Sequence, residues 1–109
     1  MVRISESHDQ FVATSGATTI TLDRNAGKAI MQRKILLWSR KPVEKPLSEI
    51  CRCAVDAAVD RASGAEMCNT MLIDRDGAAW ALPAEDKKDA QSTAARVCAF
   101  LGLEAPTVH

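Results

Sequence analysis

The sequence predicts a mainly β domain of the α+β class: an antiparallel β-meander closed by one C-terminal α-helix. Three observations carry this. Cys51 to Val59 alternates apolar and polar side chains with period two, the pattern of a half-buried strand. Asp76-Gly77 lies between two apolar runs, a strong hairpin signal. From Asp86 the period changes to 3.6, with Ala90, Ala94, Val97, Cys98 and Leu101 on one stripe, as an amphipathic helix requires.

The elements follow in order. Residues 1–16 are polar and mixed and end in Ser15-Gly16. They read as a flexible N-terminal arm in which Phe11-Val12-Ala13 is the one strand-like stretch. Residues 17–103 read as a single domain, and 104–109 as a C-terminal tail. Ala17 to Asp23 is rich in Thr, Ile and Leu and predicts a strand. Arg24-Asn25-Ala26-Gly27 predicts a turn, because Asn and Gly accept positive φ. Lys28 to Arg40 predicts one long second strand, and Pro42 and Pro46 mark the loop that ends it.

The third strand is predicted over Leu47 to Arg61. Cys51, Cys53, Val55, Ala57 and Val59 share one face, and Arg52, Asp56 and Asp60 the other. Ala62-Ser63-Gly64 reads as a three-residue hairpin loop, which sets Val59 opposite Met67, Val55 opposite Met71 and Cys53 opposite Ile73. Arg52 then meets Asp74. Read as a two-residue turn, Asp76-Gly77 sets Ile73 opposite Trp80 and Met71 opposite Leu82, so one apolar face continues. Strands four and five are thereby placed at Glu66–Asp74 and Ala78–Leu82, with Pro83 ending the sheet. Asp86 is the predicted N-cap, Asp89 adds negative charge to the first turn, and Gly102 closes the helix with Leu103 behind it.

Composition restricts the function. A chain of 109 residues fits one domain. With 47% apolar and 26% charged residues, it is ordinary for a globular protein and too apolar for wholesale disorder. The formal net charge is zero and the aromatic side chains are only Phe11, Trp38, Trp80 and Phe100. That argues against a nucleic-acid partner, which calls for a basic field and rings for stacking. Residues 1–53 carry nine Lys/Arg against five Asp/Glu, and residues 54–109 carry five against nine. Arg24, Lys28, Arg33, Lys34, Arg40, Lys41 and Lys45 are candidates for a basic strip that contacts an anionic membrane surface. The plainer reading is a solvated face. Met1 to Glu6 lacks the apolar run of a signal peptide, and Ile35-Leu36-Leu37-Trp38 is far short of a membrane span. The expected location is cytoplasmic, with peripheral membrane contact as an option.

No catalytic, cofactor or metal site is predicted. Cys51 and Cys53 form a Cys-x-Cys pair rather than a Cys-x-x-Cys knuckle. In the register above, Cys68 points away from them. It also lies about 23 Å along the strands from Cys51, at roughly 3.3 Å per residue. The cysteines therefore read as small buried hydrophobes, and a thiol- or metal-dependent enzyme is the least favoured reading. His8 and His109 fall in the tails, so no Ser–His–acid set can be assembled. Asp56, Asp60, Asp74 and Asp76 read as a solvated sheet face and turn. The five glycines are isolated, and no phosphate-cradling loop is present. Trp38 and Trp80 read as core. What remains is a non-enzymatic binding or assembly module without a cofactor, engaging a protein partner or itself.

The order of elements carries a resemblance. It comprises a meander with a basic second strand, Pro46-Leu47 leading into Ser-Glu-Ile, then Asp76-Gly77, then a helix ending Phe100-Leu101-Gly102-Leu103. Over residues 17–103 this resembles the bacterial pleckstrin-homology-like domains. The resemblance implies a partly open barrel or two packed sheets plugged by the helix, serving as a platform for lipids, peptides or proteins. It also implies seven strands where the sequence shows five, so that two are either missing or hidden in residues 1–16 and the Pro42–Pro46 region.

Overall fold

Alternation along the first half of the chain builds a sheet with one dry face. Residues 2–35, 38–39, 41–59, 61–104 and 107–108 are described by the computed structural model, those at 35, 38–39 and 107–108 by backbone alone. Strands β1 (Arg3–Glu6), β2 (Gln10–Ser15), β3 (Thr18–Asp23) and β4 (Lys28–Ile35) form an antiparallel meander. Phe11 lies opposite Leu22, and Ala13 opposite Ile20. These four side chains and Ala29 point inward and are buried, while the intervening Thr and charged residues face out.

Two corrections belong here. Residues 1–16 are not a loose arm but supply β1 and β2. Their signal is weak in sequence because β2 shows only Phe11 and Ala13 to the core, and Val12 on its outer face blurs the alternation. The segment 28–40 is not one strand either. Lys34 pairs with Ser39 and Ile35 with Trp38, so β5 (Trp38–Ser39) folds back on β4. Between the two prolines, β6 (Val43–Pro46) also pairs with β4. The side chain of Trp38, together with Arg40, Asp60 and His109, lies outside the described residues.

A 3-10 turn at Leu47–Glu49 leads into the second sheet. Strands β7 (Ile50–Val59), β8 (Glu66–Asp74) and β9 (Ala79–Ala84) form a second antiparallel meander, and β10 (Thr107–Val108) joins the outer edge of β7 in parallel. The strand pairing keeps two separate sheets and does not close a barrel. Pro83 lies within β9 rather than after it, on an edge strand where its missing N–H costs no ladder bond.

Strand β8 is placed as predicted, but its register differs by one residue. Val55 faces Thr70, Cys53 faces Leu72 and Val59 faces Glu66, while Trp80 faces Leu72 and Leu82 faces Thr70. The turn explains half of this. The N–H of Gly77 donates to the carbonyl of Asp74 at 3.1 Å, and the N–H of Asp74 donates to Ala78 at 2.9 Å. Arg75, Asp76 and Gly77 therefore make a three-residue loop with Gly77 at φ 86°, one residue longer than the two-residue turn. The inward face of β8 thus becomes Cys68, Thr70, Leu72 and Asp74. Its polar members are satisfied there, since the Thr70 hydroxyl donates to the carbonyl of Ala90 at 3.0 Å.

Helix α1 (Lys87–Leu101) follows the predicted signals closely. The side chain of Asp86 accepts from the N–H of Asp89, at 2.7 Å. Gly102 takes the left-handed conformation at φ 70°, and the N–H of Leu103 reaches back to the carbonyl of Cys98 at 2.9 Å, a Schellman ending. The helix lies on the inner face of the second sheet. Its N-terminal half covers Val55 and Cys68 with Ala90 and Ala94. Its C-terminal half brings Val97, Cys98 and Phe100 into the main core with Phe11, Leu22 and Leu72.

Candidate functional site

The basic residues come first, since they were the one set singled out in sequence. The fold distributes the six described members, all but Arg40, rather than aligning them. The guanidinium of Arg24 donates to the carbonyl of His8 at 2.6 Å and to that of Phe100, and stacks 4.0 Å over the Phe100 ring. It thus fastens the β3–β4 turn to the end of the helix. Lys28 lies 3.9 Å from Glu44 with both side chains half exposed. Arg33 and Lys34 are consecutive on β4 and point to opposite faces. Lys41 and Arg33 flank Met31 and Val43 around a small hollow of about 140 Å³.

Lys45 is turned inward. Its position opposite Ala29 puts it on the dry face, where its ammonium meets Asp74 at 2.8 Å and lies 4.5 Å from the Trp80 ring centroid. The hydrogen bond from Lys45 holds the Asp74 carboxyl below its ordinary pKa of 3.8, against the opposing effect of burial, and bonds from the Ala78 and Asp76 amides add to it. Both side chains thus meet each other inside the fold.

The four cysteines are all free thiols. Ile50 faces Asp74 and Arg52 faces Ile73, so Cys51 is the extra residue of a β-bulge. That bulge turns Cys51 to solvent, away from Cys53, where strict alternation predicts the two on one face. Cys68 is opposite Ala57, on the same inner face as Cys53 rather than the opposite one. Burial pushes the Cys53 thiol well above its usual range, with the neighbouring Cys98 adding to the shift. Burial raises Cys68 too, ahead of its 3.2 Å bond to Glu66. Among the described residues no group of three His, Cys, Asp or Glu side chains is placed to hold a metal ion. His8 is exposed beside Asp9, with Nε2 4.0 Å from its Oδ1.

Two features of the second sheet remain. Beside the start of β7, Leu47, Ile50, Leu101 and Leu103 floor a groove of about 490 Å³, with Cys51 and Arg75 at its rim. The second feature is the outer edge of β7. β7 has ten residues and no proline, and among the described residues only Ala54 and Val55 on that edge are paired, by Thr107 and Val108. The other edges are better guarded. Strand β6 lies between Pro42 and Pro46 and carries Glu44 and Lys45, β9 carries Pro83, and β1 has four residues. Sequence reasoning missed this site. The only signal for β10 is the β-branched pair Thr107-Val108 after Pro106, which is too short to rank as a strand.

No helix among the described residues is long and apolar enough to cross a membrane. Compared with protein-family models, with curated proteins and with solved structures, the chain matches none.

Proposed function

We propose that this protein is a non-enzymatic binding or assembly module that engages a protein partner, or itself, by adding a strand to the open edge of β7. The single observation that carries this is the pairing of that edge: ten residues long, it already accepts a strand at Ala54 and Val55. An unpaired row of backbone donors and acceptors is a template for strand addition. A groove lined by Leu47, Ile50, Leu101 and Leu103, with Arg24 and Arg75, lies beside the start of the same strand.

The pleckstrin-homology-like reading supports a platform role. The described residues form ten strands in two sheets, with α1 laid against the second. The test is selection of heptapeptides from a random library on the immobilised protein, followed by amide exchange. Selected peptides should slow exchange at residues 56–59. Peptides that bind while leaving those amides unchanged would refute strand addition at this edge.

A second reading, contact with an anionic surface, has one observation in its favour: Arg33 and Lys41 flank the apolar Met31 and Val43. Salt-reversible pelleting with anionic but not neutral vesicles, lost in Arg33→Glu/Lys41→Glu, supports it. Pelleting unaffected by those changes counts against it.

A further inference from the structure

We infer that the partner strand at the β7 edge is β7 of a second copy of this chain, and that the segment Thr107–Val108 competes with it for the same positions. This inference rests on the strand-accepting edge proposed above and deepens it by naming the occupant and its control.

The sequence of β7 is self-complementary about Ala54. Beyond the bulge at Cys51, Arg52 and Asp56 lie on the outward face and are exposed, while Cys53 and Val55 lie on the inward face and are buried. Two copies paired antiparallel about a two-fold axis through Ala54 set residue 52 of each opposite residue 56 of the other. Arg52 then faces Asp56 twice, once on each side of the axis. Opposite charges directly across a strand pair stabilise it, and like charges oppose it. The same register sets Cys53 opposite Val55 on the inward face, so apolar meets apolar. The residue that must face itself on the axis is Ala54, whose side chain is small enough to do so. A shift of one residue either way puts the charged pairs out of register and inverts the faces. An isologous contact of this kind closes at two copies.

The chain's own tail sits at the centre of this register. Thr107 pairs with Ala54 and Val108 with Val55, so the axis positions cannot serve the tail and a second copy at once. The tail pairs two residues, whereas the second copy pairs at least the five from Arg52 to Asp56. The tail acts from within the same chain at a high effective concentration, and the second copy only in proportion to protein concentration. On this inference the short strand holds the chain against self-association until higher concentration, or removal of residues 107–108, displaces it.

The test compares the protein with Thr107→Pro/Val108→Pro, which removes two backbone donors without touching β7, by sedimentation velocity over a concentration series. The variant should dimerise with a dissociation constant at least tenfold lower. In that background Arg52→Asp or Asp56→Arg alone should lower dimerisation at least tenfold. An equimolar mixture of the two charge-reversed chains should recover it, because each then meets its opposite. A proline variant that dimerises no more tightly than the parent, or a mixture no more dimeric than its components, overturns the inference. A labelled peptide of residues 103–109 separates the two levels of the argument. If it binds a proline variant that stays monomeric, the edge accepts strands but the second copy is not the partner. If neither peptide nor second copy binds, the strand-accepting reading falls as well.

Discussion

Lys45 and Asp74 join the two sheets through a 2.8 Å contact between Nζ and Oδ2, with side chains only 12% and 8% exposed. The other carboxylate oxygen of Asp74 accepts from the N–H groups of Asp76 and Ala78, both at 3.0 Å. One side chain therefore shapes the β8–β9 hairpin and locks that hairpin to β6. A pair this enclosed is costly to break on one side, because the remaining charge is left without its partner.

Replacing Lys45 with Met keeps the length of the stem and removes the charge. The melting temperature should fall by at least the roughly 4 °C that a single lost interaction produces in a domain of this size. Asp74→Asn should lower it further, since it weakens the turn as well. The double substitution should cost less than the sum of the two, and thermal unfolding followed by circular dichroism measures all three. Additive losses would mean that the two side chains act independently.

The same contact sets an acid limb of stability. Asp74 is held below its ordinary pKa of 3.8 chiefly by Lys45, so folding favours its ionised form. The contribution is present above about pH 4 and disappears as pH falls through the lowered native value. Urea unfolding between pH 2 and pH 7 should show this loss below pH 4. In Asp74→Asn the slope there should be shallower and the stability at pH 7 already reduced.

Phe11 is fully buried and its ring centroid lies 5.6 Å from that of Phe100. Phe11→Ala should destabilise the protein by about 3–5 kcal/mol, the range for a large aromatic removed from a packed core. Urea titration gives the number, and a loss under 1 kcal/mol would mean that residues 1–16 contribute little to the fold.

Cys51 is exposed while Cys53, Cys68 and Cys98 are buried. A maleimide should modify one thiol in the native protein and four in denaturant, with Cys51→Ser abolishing the native reaction. Raised pKa values at Cys53 and Cys68 slow those thiols further, since the thiolate is the nucleophile. Rapid native modification of two or more sites would contradict the burial.

Gly102 ends the helix at φ 70° with open space where a Cβ would stand. The cost of Gly102→Ala therefore comes from conformation alone, about 1–2 kcal/mol for an L-residue in the left-handed region. Guanidinium unfolding checks it, and a neutral outcome would mean that the helix end rearranges without loss.

The helix bounds and caps were legible because their signals are local, although Phe100 and Thr93 are buried and the predicted Leu101 is only half-buried. Asp86, the Ala90–Leu101 stripe and Gly102 each act within a few residues of themselves. Sheet membership depends on partners far along the chain, and there the sequence was less informative. The predicted register, one residue off, sets Asp74 on the outer face opposite Arg52 and also hides the inward place of Thr70. They face inward because Ala90 and Lys45 supply bonds that local pattern cannot show. Lys45 itself looked like one cation among seven. The β7 edge was legible only as an abundance of strand, since which edge stays open depends on how β10, β8 and the first sheet settle around it.

The main-chain N–H of Val2 donates to a carboxylate oxygen of Asp89 at 3.1 Å, a bond that spans 87 residues of sequence, and the N–H of Glu85 shares that oxygen at 3.0 Å. Arg96 likewise reaches Glu6 at 3.3 Å. The first strand is thus completed by the last helix. The dry face of the β1–β4 meander is covered by residues of β9 and α1, far along the chain. Such long-range closure slows folding. Until that closure the apolar face and unpaired strand edges of a partly folded chain are the surfaces open to unwanted pairing.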